Sequence, residues 1–104
     1  MNKKIALITG ATSGIGEACA RKFAEGGYNL ILTGRNAQKL NAIAAELQQT
    51  GVEVAALVFD VRQAEEAHKA WEGLDAAWQQ VDVLINNAGL ALGLEKEYEG
   101  DPTD

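Results

Sequence analysis

The sequence predicts an α/β protein whose strands run parallel in one sheet. Two observations carry this expectation. Short continuous apolar runs alternate with longer segments whose apolar residues recur at helical spacing. Glycines and capping residues fall at most of the junctions between them. Strands that alternate with helices form βαβ units, and these units give a parallel sheet with right-handed crossovers.

The elements follow in order. Lys4 to Thr9 is an unbroken apolar run rich in Ile and Leu, the pattern of a strand buried on both faces. A glycine-rich turn, Gly10 to Gly16, leads into a helix over residues 14–25, where Ile15, Cys19 and Phe23 recur every fourth residue. Gly26-Gly27 ends it. Tyr28 to Thr33 is a second strand. Asn36 caps a second helix that runs to about Gln49, with Leu40, Ile43, Ala44 and Leu47 along one face, and Gly51 stops it. Val52 to Phe59 is a third strand. Residues 63–79 form a third helix with Ala64, Ala67, Trp71, Leu74 and Trp78 on one stripe. Val81 to Asn86 is a fourth strand, and residues 87–104 show no clear period.

The 104 residues allow one small domain. Hydrophobic residues at 47% and charged residues at 23% exclude a disordered chain. A single cysteine, Cys19, excludes a disulfide-stapled scaffold. No apolar run reaches the ~20 residues of a membrane span, and Ile5 to Ile8 is too short for a signal peptide. The expectation is a soluble cytoplasmic protein without a membrane partner. Residues 1–50 carry net +3 and residues 51–104 net −9, giving −6. That balance makes a poor nucleic-acid binder. The positive first half can receive one small anionic ligand, although a random scatter of surface charge explains the split as well.

Four features carry chemistry. Thr9-Gly10-Ala11-Thr12-Ser13-Gly14-Ile15-Gly16 lies between a strand and a helix, where free N–H groups and the helix dipole favour an anion. Its G-x-x-x-G-x-G spacing is neither the G-x-G-x-x-G dinucleotide fingerprint nor a P-loop. A glycine-rich turn without a ligand is the plain alternative. Arg35, after the second strand, stands where a dinucleotide site meets the adenosine ribose; a basic residue there suits the 2′-phosphate of NADP, and a solvated arginine is the alternative. Asp60-Val61, past the third strand, offers a carboxylate to an adenine amino group or caps the next helix. Asn86-Asn87-Ala88-Gly89 offers amides and room for close approach, or is simply a turn.

Taken together, these motifs resemble the amino-terminal half of the short-chain dehydrogenase/reductase family, in order and approximate spacing, over essentially the whole chain. The resemblance implies a Rossmann-like parallel sheet of strand order 3-2-1-4 flanked by helices. That is the first half of a doubly wound domain, with residues 1–104 the leading part of one NAD(P)-binding unit. It implies that Gly10, Thr12, Ser13, Gly14, Ile15, Gly16, Arg35, Asp60, Val61 and Asn87 contact NADP, and that Asn86 helps hold the sheet. NAD is the lesser candidate. The stretch Asn86 to Glu95 looks like the branch of NADP-dependent serine and 3-hydroxy acid dehydrogenases.

The family transfers hydride between nicotinamide and a carbonyl or alcohol, using a Tyr, a Lys four residues later and a Ser. Here Tyr28 is followed at that distance by Leu32 and Tyr98 by Pro102. The sequence therefore holds no catalytic group of that kind. The expectation is the cofactor-binding half of an NADP-dependent oxidoreductase acting on a small molecule. A non-catalytic nucleotide-binding module and an inactive remnant are the alternatives. Asp101-Pro102-Thr103-Asp104 reads as a helix start, consistent with a fragment, or as a polar tail. If the chain stands alone, its open fourth strand predicts that it self-associates or is marginally stable; the intact enzyme is expected to be a homo-oligomer. His68 reads as a partly exposed helical residue, Cys19 as a small core residue and the two tryptophans as core. One histidine and one cysteine argue against a zinc site.

Overall fold

The computed structural model describes residues 3–59 and 63–87 of the 104. In chain order the elements are β1 (Ile5–Thr9), α1 (Gly14–Glu25), β2 (Asn29–Gly34), α2 (Ala37–Gln48), β3 (Val54–Val58), α3 (Ala64–Glu72), a short 3-10 turn (Ala76–Gln79) and β4 (Val83–Asn86). The sheet order is β3-β2-β1-β4 and every pair is parallel, as the sequence predicts. Strand ends fall within two residues of the expected ones, the ordinary uncertainty of element boundaries.

β1 sits at the centre and is buried along its whole length. Its alternate residues feed two cores. Ala6 and Ile8 join Leu30 and Leu32 beneath α1 and α2 residues such as Ala20, Leu40 and Leu47. Ile5 and Leu7 join Ile31, Phe59 and Ala67 on the opposite face, with Trp71, Leu74 and Trp78 half-buried around them. Each fully buried Leu or Ile contributes about 1.5–3 kcal/mol, so the sheet is held chiefly by this two-sided burial.

Two expectations need correction. The third helix does not run from 63 to 79: α3 closes where Gly73 N–H meets Lys69 O at 3.0 Å, and the 3-10 turn begins after Asp75. Glycine is a poor helix interior residue and Asp favours caps, so the chain breaks there. The Trp71, Leu74 and Trp78 stripe still reaches one core because the 3-10 turn keeps the same side toward the sheet. The α1 stripe is also displaced. Its buried residues are Gly16, Ala20 and Ala24, with Cys19 and Phe23 half-buried beside them, whereas Ile15 is 71% exposed. At Gly16 the helix lies too close to the backbone of the preceding turn for any side chain.

Polar side chains fasten the strand ends. Thr9 Oγ1 donates to Asn86 Oδ1 at 2.9 Å across the β1–β4 pair, bearing out a sheet-holding role for Asn86. Asp82 Oδ2 accepts Ile5 N–H at 2.9 Å, and buried Asn29 accepts Glu53 N–H through Oδ1 at 2.8 Å. Arg21 on α1 bridges Glu17 at 2.7 Å and Glu46 of α2 at 3.0 Å. The Arg21 guanidinium holds the Glu46 carboxyl below its usual range, so this link is complete at neutral pH and is lost as acid protonates Glu46. Exposed pairs of this kind contribute little.

Thr33, at the end of β2, is buried, yet its Oγ1 has no hydrogen-bond partner among the described residues. A buried unpaired hydroxyl is destabilising. Thr33→Val is therefore expected to raise stability by about 1 kcal/mol in thermal unfolding. A clear loss instead would show that the hydroxyl is satisfied in solution.

Candidate functional site

The glycine-rich segment forms the turn between β1 and α1, at the carboxyl end of the sheet, where parallel α/β sheets take their ligands. Two of its three glycines have structural reasons. Gly10 has φ +64°, a left-handed conformation that favours glycine. Gly16 allows α1 to pack on the turn: a Cβ there would lie 2.1 Å from Gly10 O. Gly14 needs neither. Its φ is not left-handed, and a Cβ built on it meets nothing within 4 Å. Among the described residues, nothing packed against position 14 requires a glycine there.

Hydrogen bonds fix this turn. Gly10 O accepts from Ser13 N–H at 3.1 Å, Ser13 Oγ at 2.9 Å and Asn87 Nδ2 at 3.2 Å. Ser13 Oγ in turn accepts Gly16 N–H at 3.2 Å and Asn87 Nδ2 at 2.8 Å. Ser13 is thus the N-cap of α1, and Asn87 latches the end of β4 to the same turn. Among the described residues no hydrogen bond engages the N–H groups of Gly14 and Ile15, at the first two positions of α1. These donors and the positive end of a 12-residue helix make a ready anion cradle.

The end of β2 adjoins the cradle. Ala11 N–H donates to Thr33 O at 2.9 Å, and the Thr12 side chain lies over Gly34, where a Cβ would meet Thr12 Cγ2 at 3.2 Å. Arg35 follows directly, exposed and without an acidic partner among the described residues. Asn36 then caps α2, its Oδ1 accepting Lys39 N–H at 3.0 Å. The structure therefore brings Gly10, Thr12, Ser13, Gly14, Ile15, Gly16 and Asn87 into one turn, with Arg35 beside it. Asp60 and Val61 lie outside the described residues, as do Ala88 to Asp104 and the helix start expected there.

Other candidates take structural positions. His68 is exposed and its Nε2 lies 2.8 Å from Glu72 Oε2 on the same helix. Cys19 is half-buried against the core. Among the described residues no group of three or more His, Cys, Asp or Glu could hold a metal, and no helix is long and apolar enough to cross a membrane. Sequence reasoning missed the Asn87 latch and the Asp82 bond to β1. Both join residues more than 70 positions apart.

Comparison with known proteins agrees with this geometry. The family model for short chain dehydrogenases matches residues 4–103. An NADP-dependent 3-hydroxy acid dehydrogenase of Salmonella typhi is 44% identical over 100 residues, covering 96% of this chain and 39% of that protein. Serine 3-dehydrogenase of Agrobacterium fabrum is 48% identical over 87 residues, covering 84% of this chain and 34% of its own. Among solved structures, an alcohol dehydrogenase of the archaeon Thermococcus sibiricus complexed with 5-hydroxy-NADP matches with a TM-score of 0.73 at 43% identity. That match covers 80% of this chain and 36% of the other. The chain thus spans less than half the length of the relatives it matches. With the sheet order, the glycine-rich turn and a match over nearly its full length, the chain belongs to the short-chain dehydrogenase family.

Proposed function

We propose that this chain is the NADP-holding part of an oxidoreductase that moves hydride between nicotinamide and a carbonyl or alcohol of a small molecule. One observation carries the reading: among the described residues nothing meets a Cβ at Gly14, which stands at the start of α1 beside N–H groups that no hydrogen bond engages. A phosphate oxygen must come within ~2.7–3.2 Å of such donors, and a side chain there would obstruct it.

Each residue takes a part in the proposal. Gly10 and Gly16 shape the turn, and Ser13 and Asn87 hold it ready. Gly14 and Ile15 offer backbone donors to the pyrophosphate, while the exposed Ile15 side chain gives the cofactor an apolar contact. Thr12 joins the turn to the end of β2, and Arg35 receives the 2′-phosphate. Asp60 and Val61 belong to the adenosine end. Nicotinamide, when bound, supplies the hydride chemistry. Neither tyrosine of the sequence has a lysine four residues on. The proton-transferring groups therefore belong, in this proposal, to sequence outside these residues. A homo-oligomer as the assembly of the intact enzyme belongs to the same reading.

The test is paired titration with NADPH and NADH. Arg35→Ala is expected to weaken NADPH about tenfold, the worth of one charge-assisted phosphate contact, and to leave NADH nearly unchanged. Equal loss for both dinucleotides contradicts the 2′-phosphate role.

A further inference from the structure

Among the described residues β3 pairs with β2 alone, and its other side is an open edge. Leu30 N–H donates to Glu53 O at 2.9 Å and Phe59 N–H to Gly34 O at 3.0 Å. The odd-numbered residues of this strand therefore turn their backbone groups toward β2. Backbone groups alternate sides along a strand, so those of Val54, Ala56 and Val58 point outward. Gln48 Nε2, at the end of α2, donates to Val54 O at 3.2 Å and covers that carbonyl. Among the described residues no hydrogen bond engages the outward groups of Ala56 and Val58. Sheet edges are ordinarily blunted by charge, proline or a bulge. Residues 54–58, Val-Ala-Ala-Leu-Val, contain no charged residue and no proline. Val54 and Ala56 pack toward the core beneath α1 and α2. The two-residue period puts Val58 on that same side, where it is 44% exposed.

We propose that this edge pairs with the same edge of a second copy of the chain, antiparallel about a two-fold axis through Leu57. The register selects the occupant. With Leu57 opposite its equivalent, Ala56 of each copy faces Val58 of the other, and such a pair exchanges two N–H to O bonds. All the open groups of Ala56 and Val58 are then used, and the Val54 carbonyl that Gln48 covers is not needed. The axis stands perpendicular to the sheet and keeps its faces together, so the exposed Val58 lies beside the small Ala56 of the second copy. An axis through Ala56 instead would aim Val58 N–H at the covered Val54 O. A large residue meets a small one on both sides of the axis, a match that an unlike strand would make on one side at most. The contact is isologous and closes at two copies. One short strand pair falls below the ~1,200–2,000 Å² of a standard interface, so the dimer is weak. The proposal stands apart from the NADP reading.

The experiment measures mass by sedimentation and amide hydrogen exchange by NMR over a range of protein concentration, for the unaltered chain and Val58→Lys. The unaltered chain is expected to pass from monomer to dimer as concentration rises. Exchange at the Ala56 and Val58 amides should slow about tenfold over that range. Val58→Lys adds an edge-blunting charge at an exposed position. It should keep the melting temperature, remain monomeric, and exchange at Ala56 at one rate throughout. A monomer at every concentration overturns the proposal. Self-association that leaves exchange at Ala56 and Val58 unchanged also overturns it, because the contact then lies on another edge. The unaltered chain alone decides between these outcomes, whether or not the variant folds. A folded Val58→Lys that dimerises as the parent does contradicts the proposal as well.

Discussion

Gly16→Ala is expected to lower the thermal midpoint by on the order of 15 °C. The added Cβ would lie 2.1 Å from Gly10 O, 2.9 Å from Gly10 C and 3.0 Å from Ala11 Cα. All three are backbone atoms of the turn, so no side-chain rotation can relieve the contact. α1 would have to lift away, losing the packing of buried Ala20 and Ala24 and the Gly16 N–H bond to Ser13 Oγ. Overpacking against a fixed backbone costs about 3 kcal/mol, a large share of the ~5–15 kcal/mol that stabilises a typical domain. Calorimetry or circular dichroism reads the shift. A midpoint within about 2 °C of the parent would mean that α1 can move outward freely, and that its small-residue face is not a close-packing device.

Gly14→Ala is expected to do the opposite to stability and the most damage to binding. Alanine is the better helix former, the backbone at 14 is not left-handed, and the new methyl meets nothing within 4 Å among the described residues. The melting temperature should hold or rise. In the proposed site the same methyl would stand in the way of a phosphate approaching the N–H groups at the start of α1. Loss of one or two charge-assisted hydrogen bonds there weakens NADPH about ten- to a hundredfold. A firmer fold with a poorer site distinguishes a ligand-facing glycine from a fold-required one. Undiminished NADPH affinity in this variant would place the nucleotide elsewhere.

Much of this arrangement is legible in the sequence because its signals are local. Asn36 follows a strand and precedes an apolar-periodic segment, and it caps α2 as read. The apolar run of β1 has residues on both faces, and both are buried. Where the sequence misleads, apolar spacing is the reason. Counting Ile15 with Cys19 and Phe23 follows hydropathy, but closeness to the turn sets α1 and brings Gly16, Ala20 and Ala24 inside. The 3-10 turn after α3 preserves the side on which Trp78 falls, so the break at Gly73 leaves the apolar stripe unchanged. The site itself was half legible. Its turn and Arg35 follow from a contiguous motif, whereas the Asn87 latch depends on β4 lying beside β1, which only the folded topology supplies.

The central claim is that the β1–α1 turn and the end of β2 together receive NADP. Amide chemical shifts of the 104-residue chain, followed while NADPH and then NADH are added, test it most directly. The account predicts saturable shifts at Gly14, Ile15 and Gly16 with both dinucleotides, tighter with NADPH, and shifts at Arg35 and Asn36 with NADPH alone. Saturation that leaves the Gly14–Gly16 amides unmoved, or identical behaviour of the two dinucleotides at Arg35, would contradict it.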